Sequence, residues 1–493
     1  MFTSLLRLTK HSAIYGVGHI LSRTIGFLLL PLHTNFIAPE EYAVYIYGYA
    51  FIPFIAIFYS AGINSAQLRY YLLAEEKQEK DKILTTSFIG TIVIAFTLSI
   101  LLFAFSKSVS LFVLGNEQFG YLIRISCGIL IFDALLLLLF NILRGQEKSI
   151  QYVSFSILNV VVNIILNIIL IVKLNMGIDG IFIANLAASA VTFFALLLVT
   201  KNHFSRRFSY RLFRELFKFG LPLIPSTLGM IILIAIDKFI IRHLMGDEAA
   251  AIYGAGYKLG MFMSLIVTAF RYAWHPFYLS AVREEDDAKQ IFSKVLTYFL
   301  FLCGAIFLMI TLFIDEIVRF KILGFTMFGE EYWPGTKIVP AILASYIFYG
   351  IYLNFQIGTY IENKTKYLAF TTVLSALINI AANFLFIPQL GLMGAAYATL
   401  IAYIFMTVSI YFYANKLYPV QYEWLRISKI FVTVGLLYIT GTLSYPDKPL
   451  LFKAIFIPAY FIVLYFTGFF EKREINKIKE FILGKKSIEI ENK

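Results

Sequence analysis

The sequence predicts an all-α polytopic membrane protein with about 14 transmembrane helices. Of its 493 residues, 59% are hydrophobic and 15% are charged, whereas soluble chains are nearer half and a quarter. The apolar residues are gathered into runs as long as a bilayer-crossing helix. The Lys and Arg behind the net charge of +12 lie between these runs, as in a membrane protein. A soluble enzyme and a nucleic-acid-binding domain are therefore excluded.

A helix needs about 20 apolar residues to cross the hydrocarbon of a bilayer, and the chain contains fourteen such runs. The first run is long and lacks a small-residue cleavage site, so it predicts a resident span and not a signal peptide. The runs lie near 11–37, 42–72, 83–106, 118–143, 150–173, 178–200, 216–244, 250–281, 290–314, 336–361, 366–387, 392–415, 425–443 and 450–469.

The distribution of Lys and Arg predicts the orientation of these spans. With the N-terminus in the cytoplasm, 29 cations fall on the cytoplasmic side and 8 on the opposite side. Cytoplasmic loops carry the excess of positive charge, so both termini are predicted to be cytoplasmic. The connections are short and hold no phosphate-binding loop, which excludes an ATP-driven pump in a single chain.

The chain repeats itself at an offset of about 216 residues. Lys148 aligns with Lys364, Asn163 with Asn379, and Asn167 with Asn383. Each unit has six spans, an even number, so the two units insert the same way up. The repeat predicts two lobes, residues 1–212 and 213–416, related by a pseudo-two-fold axis along the membrane normal, with a cavity between them. Residues 417–493 are an added helix pair and a basic cytoplasmic tail.

Five cations lie inside the predicted spans, and a cation in mid-membrane costs about 2.5–3.5 kcal/mol. Arg23 and Arg271 are deep in their spans and must face protein or water, whereas the other three could also reach the interface by extending their side chains. Only Asp133 and Asp237 oppose them. The excess of cations predicts a cargo that carries phosphate, which Arg binds well. The five cations are Arg23, Arg124, Lys238, Lys258 and Arg271.

Asp237 and Lys238 are neighbours in the seventh span. Adjacent residues of a helix do not face each other, so each is expected to need a partner from another helix. Arg23 is one candidate partner for Asp237.

Polar residues recur every four positions in the fifth and eleventh spans, which places each set on one helical face. The first set is Asn159, Asn163 and Asn167, and the second is Ser375, Asn379 and Asn383. Two interpretations stay open. The asparagines either form hydrogen bonds between helices or line a cavity wall that binds sugar hydroxyls.

The residues show no catalytic constellation and no metal-ligand spacing. Cys127 and Cys303 lie far apart inside apolar runs and form no CxxC pattern. A membrane glycosyltransferase or polymer ligase would need a large outer loop with catalytic acids or histidines. The longest outer segment, about 315–335, is too short for this, so the chain is not expected to be an enzyme.

The first and seventh spans resemble bacterial polysaccharide flippases, the O-antigen and capsule exporters of the multidrug/oligosaccharidyl-lipid/polysaccharide (MOP) superfamily. The matching motifs are the stretch from Tyr15 to Thr34, Pro39-Glu-Glu-Tyr, Asp237-Lys-Phe-Ile-Ile and Ala251-Ile-Tyr-Gly-Ala-Gly-Tyr-Lys258. Within the first stretch, Ser22-Arg23-Thr-Ile-Gly26 is similar to the Ser-Arg-x-x-Gly motif of the related lipid II flippases. The resemblance covers about residues 5–415. It implies a fold like that of the MATE multidrug transporters.

This resemblance implies a flippase in the bacterial inner membrane that moves undecaprenyl-pyrophosphate-linked oligosaccharide units to the outer leaflet by alternating access. Arg23 and Arg271, helped by Lys238 and Lys258, are expected to bind the pyrophosphate. The sugars would contact Asn163, Asn167, Asn379 and Asn383. Asp237 and Asp133 are the candidates for coupling to H⁺ or Na⁺, and membrane potential is an alternative driver. No other cofactor is expected, and polysaccharide polymerase partners follow only by analogy with the family.

Two other cargoes stay open within the same superfamily. A multidrug exporter should have an acid-rich cavity for cationic drugs, which the excess of in-span cations disfavours. A flippase for lipid II or another envelope lipid would carry a similar pyrophosphate headgroup, so the sequence does not separate it from the first interpretation.

Overall fold

The computed structural model describes residues 27–205, 207–284, 287–322, 325–362, 364, 366–443, 450–471 and 474. The predicted pyrophosphate ligand Arg23 lies outside the described residues. The described part is helical except for a short antiparallel hairpin of β1, Lys321–Ile322, and β2, Phe325–Thr326, in which Lys321 pairs with Thr326.

The described part of the predicted first lobe, residues 27–205 and 207–212, is built mainly from apolar helices joined by short turns. A π-helical turn, Ile168–Lys173, extends the fifth predicted span. The helices are α1 (Leu30–Phe36), α2 (Pro39–Ser60), α3 (Ile63–Leu73), α4 (Lys77–Ala104), α5 (Ser106–Leu114), α6 (Gly120–Gly145), α7 (Ser149–Asn167) and α8 (Gly177–Thr200).

The remaining helices follow the same pattern, with a 3₁₀ segment, Glu330–Ile338, after the hairpin. In order they are α9 (Tyr210–Gly220), α10 (Ile224–Met245), α11 (Asp247–Gly260), α12 (Phe262–Glu284), α13 (Ala288–Leu312), α14 (Ile314–Arg319), α15 (Val339–Phe355), α16 (Ile357–Ile361), α17 (Lys366–Leu390), α18 (Leu392–Leu417), α19 (Trp424–Tyr438), α20 (Leu450–Ala454) and α21 (Phe456–Phe466).

The predicted fold class, an all-α polytopic membrane protein, is confirmed. Among the described residues, 10 helices are long and apolar enough to cross a bilayer, or up to 12 if each of two bent pairs is one span. The count of fourteen is not confirmed. Most of the predicted first span lies outside the described residues, and the predicted last span appears as a shorter apolar helix, Phe452–Phe466.

The predicted second span, 42–72, is broken into α2 and α3. Ala61 and Gly62 both adopt left-handed backbone conformations, with φ of 45° and 70°. The backbone of Gly220, at the end of α9, packs directly on Gly62 and leaves no room there for a Cβ. The break therefore seats the end of the amphipathic helix α9 against the middle of a membrane span.

The predicted internal repeat is visible in matching helix pairs, α7–α8 and α17–α18. Each pair turns through a glycine with positive φ, Gly177 at 51° and Gly391 at 58°. The asparagines ahead of the turns also match, because Asn167 Nδ2 donates to the Asn163 carbonyl at 2.9 Å and Asn383 Nδ2 to the Asn379 carbonyl at 2.8 Å. The same local geometry thus recurs in both halves of the chain.

The chain divides into two compact units. The first comprises Met1–Asp286 and Val318–Pro419, and the second comprises Asp287–Ile317 and Val420–Lys493. The first unit contains nearly all of both predicted lobes. Helix α13, which the sequence-based division places in the lobe of residues 213–416, belongs to the second unit with the C-terminal helices. The division into lobes of 1–212 and 213–416 stays a prediction.

Candidate functional site

Lys258, on α11, lies between the two predicted lobes. Its ammonium donates to the hydroxyls of Tyr42 at 2.9 Å and Tyr45 at 2.8 Å, both on α2. It also lies 4.3 Å from the centroid of the Tyr45 ring, a favourable cation–π geometry. Lys258 is half-buried and forms no ion pair with a carboxylate among the residues that the structure describes. In the part of the chain that the structure describes, the groups that contact this ammonium are therefore neutral.

His33, on α1, extends this cluster within the first lobe. Its ring packs against Tyr45 with centroids 5.3 Å apart, and its Nε2 lies 3.1 Å from Asn167 Oδ1. The Asn167 amide nitrogen donates to Asn163 Oδ1 at 2.7 Å, which leaves the Asn167 oxygen to accept from His33 Nε2. The sequence analysis gave His33 no role. We define the Lys258 cluster as Lys258, Tyr42, Tyr45, His33 and Asn167.

Asp237 and Lys238 form a buried ion pair on α10. Lys238 Nζ lies 2.9 Å from Asp237 Oδ1, and the Tyr253 hydroxyl donates to Asp237 Oδ2 at 2.6 Å. Asp237 is 0% exposed and Lys238 is 9% exposed. The Lys238 ammonium also lies 4.0 Å from the Tyr257 ring centroid.

The prediction that each of these neighbours needs a partner from another helix is therefore wrong for Lys238. Adjacent Cβ atoms do point apart, but the four-carbon lysine side chain is long enough to fold back onto the preceding carboxylate. The pair is neutral, so Lys238 adds no net positive charge to the site.

The second asparagine pair is fully buried. Asn379 and Asn383 are both 0% exposed, and Asn383 Nδ2 donates to Asn379 Oδ1 at 3.2 Å. Asn167 is also 0% exposed and Asn163 is 8% exposed. These side chains bond within their own helices or to His33 in this conformation. Their proposed contact with sugar hydroxyls would need the surrounding helices to part.

Arg271, on α12, is half-buried, with its guanidinium 5.5 Å from the centroid of the Tyr272 ring. Arg271 lies thirteen positions after Lys258, and α11 and α12 are bent by 41° at their junction. At 1.5 Å per residue, the two Cα atoms are about 20 Å apart along the helices. We therefore do not expect Lys258 and Arg271 to bind the same phosphate group at the same time.

Asp133, the other candidate for ion coupling, lies on α6 in the first lobe. Its Oδ1 accepts from the Ser189 hydroxyl at 2.7 Å, and the side chain is half-buried. The structure thus does not bring Asp133 and Asp237 into one group. Among the described residues, no set of three or more His, Cys, Asp or Glu is arranged to hold a metal ion.

Hydrogen bonds join the two lobes on the side where α10 meets α11. Arg242 donates to the Val113 carbonyl at 2.6 Å and pairs with Asp247 at 3.1 Å. The Tyr47 hydroxyl donates to the same Asp247 carboxylate at 2.9 Å. Gly115 has a φ of 83°, a backbone conformation that favours glycine, and a Cβ there would displace the Arg242 guanidinium. Arg242 is one of the eight cations that the sequence places on the side opposite the cytoplasm, and its position in the sequence does not predict these bonds.

The segment after the β-hairpin makes a second set of bonds to α1. Asn35 Nδ2 donates to the Thr326 carbonyl at 2.7 Å, and the Thr326 hydroxyl donates back to Asn35 Oδ1 at 3.0 Å. The Tyr332 hydroxyl donates to the Ile37 carbonyl at 2.8 Å. We call these bonds, with those of Arg242 and Tyr47, the interlobe seam. The seam therefore joins residues from the two sides of the predicted lobe boundary within the first compact unit.

Comparison with known proteins gives the chain its family. Residues 8–282 match the family described as polysaccharide biosynthesis protein, which is more than half of the chain. The chain is 24% identical over 428 residues to "Lsg locus putative protein 1" of Haemophilus influenzae, covering 82% of this chain and 98% of that protein. It is 22% identical over 413 residues to "Putative O-antigen transporter" of Shigella flexneri, covering 79% and 94%.

Solved structures show the same fold at low sequence identity. Lipid II flippase MurJ, in its inward closed conformation, aligns with a TM-score of 0.75 and 20% identity over 95% of this chain and 99% of that chain. An inward-facing multidrug resistance MATE family transporter aligns with a TM-score of 0.66 and 16% identity over 85% and 99%. The chain therefore belongs to the polysaccharide biosynthesis protein family, and its fold is that of the MOP superfamily transporters.

Proposed function

We propose that this protein flips undecaprenyl-pyrophosphate-linked oligosaccharide units from the inner to the outer leaflet of the bacterial cytoplasmic membrane, for the synthesis of cell-surface polysaccharide. The family and the transporter fold support this proposal. So does the name of the Shigella flexneri relative, an O-antigen transporter.

The observation that carries the proposal is Lys258. Its ammonium lies inside a membrane-spanning region with two phenol hydroxyls as partners and no described carboxylate. An uncompensated cation there is costly, and it attracts an anion strongly because the surroundings have a low dielectric constant. A pyrophosphate would supply the missing negative charge.

We infer that the cations act in succession. Arg271 and Arg23 receive the pyrophosphate first, and Lys258 receives it after the lobes rearrange. The distance of about 20 Å along α11 and α12 supports two positions in place of one. The polyprenyl tail stays among apolar surfaces throughout.

The transport cycle requires the interlobe seam to open. In our proposal both termini are cytoplasmic and the seam faces outward, so opening it releases the headgroup to the outer side. Asp133 and Asp237 are the candidates for H⁺ or Na⁺ coupling. Loss of a carboxylate charge at Asp237 would free the Lys238 ammonium to compete for the anion. Polymerase partners stay an expectation by analogy.

A flippase for lipid II is the second candidate, and the likeness to lipid II flippase over 95% of this chain favours it. Both cargoes end in a polyprenyl pyrophosphate, and they differ in the sugar. The multidrug alternative is disfavoured, because a cationic drug would be repelled by Lys258.

Binding of different headgroups to the purified protein tests the proposal. The ligands are an undecaprenyl-pyrophosphate-linked disaccharide, lipid II and a quaternary-ammonium dye. We expect the disaccharide lipid to bind more tightly than the other two. Arg23→Ala and Arg271→Ala should each weaken its binding by about tenfold or more, because each removes a charged hydrogen bond.

Thermal stability of the two variants is the control, since it should match that of the wild type. Tighter binding of lipid II would assign the second candidate. Saturable binding of the dye alone would contradict the flippase proposal. Unchanged binding in both variants would contradict the assignment of Arg23 and Arg271 to the pyrophosphate site.

A further inference from the structure

A crevice of about 980 Å³ lies between the lobes, away from the Lys258 cluster. One wall belongs to α2, α4 and α5 of the first lobe, and the other to α10. Its lining on α10 runs from Ile231 to His243, which is about 18 Å at 1.5 Å per residue. This is more than half of the roughly 30 Å thickness of the hydrocarbon, so a lipid chain can lie along it.

The crevice is apolar along most of its length and polar at one end. Phe54, Ala235 and Phe112 are among its apolar residues, and its charged or ionisable lining consists of Arg242 and His243. Arg242 contacts Val113, so this polar end coincides with the interlobe seam. Arg242 is paired there with Asp247. The polarity matches a lipid with a polar headgroup at the seam and a hydrocarbon tail along the remainder.

The crevice is open sideways to the surroundings of the helices. Phe112 is 87% exposed and Phe54 is 37% exposed. In a membrane protein these surfaces face lipid tails, so a chain can enter from the bilayer without crossing a polar barrier.

We propose that this crevice holds the polyprenyl chain of the flipped substrate, with the headgroup end of the chain toward the interlobe seam. The proposal rests on the proposed function and adds a second site to it. A tail that leaves the bilayer for the crevice gains no hydrophobic transfer energy, because both environments are apolar. It gains dispersion contacts with two walls at once. Since the walls belong to different lobes, occupancy of the crevice depends on how the lobes are arranged.

Filling the crevice tests this site. Ala235→Phe places a ring inside it, and Phe112→Ala removes part of a wall from an exposed position where loss of the fold is not expected. Ala381→Phe is the matched control, because Ala381 is exposed on α17 and does not line the crevice. Affinity is measured for a pyrophosphate-linked disaccharide on a full-length undecaprenyl chain and on a chain of two isoprene units.

We expect Ala235→Phe and Phe112→Ala to bind the full-length ligand about fivefold more weakly, since only dispersion contacts are lost. Binding of the short-chain ligand should be unchanged, and Ala381→Phe should bind both ligands as the wild type does. Lys258→Met should weaken both. Equal affinity of Ala235→Phe and wild type for the full-length ligand would overturn the crevice proposal and leave the proposed function standing.

A competition experiment distinguishes a polyprenyl chain in the crevice from the acyl chain of an ordinary phospholipid. A photoreactive group at the end of the undecaprenyl chain should label the segments around Phe54 and Ala235, and undecaprenyl phosphate should suppress the labelling. Equal suppression by phosphatidylglycerol would overturn the assignment to the polyprenyl chain. If neither disaccharide ligand binds the wild type, the proposed function fails and this site fails with it.

Discussion

Asp237→Leu is expected to lower the free energy of unfolding by about 3–5 kcal/mol, the usual result of removing one partner of a buried ion pair. The change leaves the Lys238 ammonium buried without a counter-ion and the Tyr253 hydroxyl without its acceptor. Thermal unfolding of the purified protein in detergent measures the loss. Asp133→Leu is the control, because among the described residues it takes an acceptor from the Ser189 hydroxyl and leaves no buried ammonium without its ion-pair partner. Its free energy of unfolding should therefore fall by less than that of Asp237→Leu.

The double variant Asp237→Leu/Lys238→Met separates structure from function at this pair. Replacing both ions by apolar residues removes the uncompensated charge, so most of the lost stability should return. If the double variant is stable and still binds substrate but does not transport it, the pair acts in coupling. A double variant no more stable than Asp237→Leu alone would contradict the ion pair as the cause of the instability.

Lys258→Met is expected to weaken binding of the pyrophosphate-linked disaccharide by about 10- to 100-fold. A hydrogen bond to a charged group contributes about 1.5–3 kcal/mol, and about 1.4 kcal/mol corresponds to tenfold in affinity. Equilibrium binding to the purified protein measures the change. This loss of affinity is larger than the loss expected for the crevice variants Ala235→Phe and Phe112→Ala, because Lys258→Met removes a charge together with its hydrogen bonds.

Two variants control for other causes of weak binding. Arg124→Gln removes another in-span cation, whose Nε donates to Ser106 outside the Lys258 cluster, and it should bind as the wild type does. Tyr42→Phe/Tyr45→Phe releases the ammonium from both hydroxyls and should bind the anion at least as tightly. Normal binding by Lys258→Met, together with weak binding by the tyrosine double variant, would contradict the site. Lys258 would then hold α11 against α2 and would not bind the substrate.

The sequence predicts the class of fold because hydropathy and charge placement depend only on which residues follow one another. It does not predict where spans break. The break between α2 and α3 depends on the left-handed backbone at Ala61 and Gly62 and on the packing of Gly220 against it. Such contacts join residues far apart in the chain. The difference between fourteen apolar runs and 10 to 12 spans has another cause: most of the first run lies outside the described residues, and the last run appears as a shorter helix.

The candidate site was predicted only in part for a similar reason. Lys258 stands out in the sequence as a cation in an apolar run, but its tyrosine partners come from the other lobe. The ion pair of Asp237 and Lys238 does not follow from helical periodicity, because adjacent Cβ atoms point apart. The pair forms because the lysine side chain is long enough to fold back onto the carboxylate. His33 offered a signal, a polar residue in the Pro31-Leu-His-Thr stretch of the first span.

Transfer of the headgroup between leaflets is the measurement that tests the central claim most directly. The purified protein is reconstituted into sealed liposomes with a fluorescent polyprenyl-pyrophosphate-linked disaccharide, and an external quencher reports how much ligand has crossed. The wild type and Arg124→Gln should transfer the headgroup faster than liposomes without protein, and Lys258→Met should not. Equal transfer with and without protein would contradict the flippase, and wild-type transfer by Lys258→Met would contradict the site.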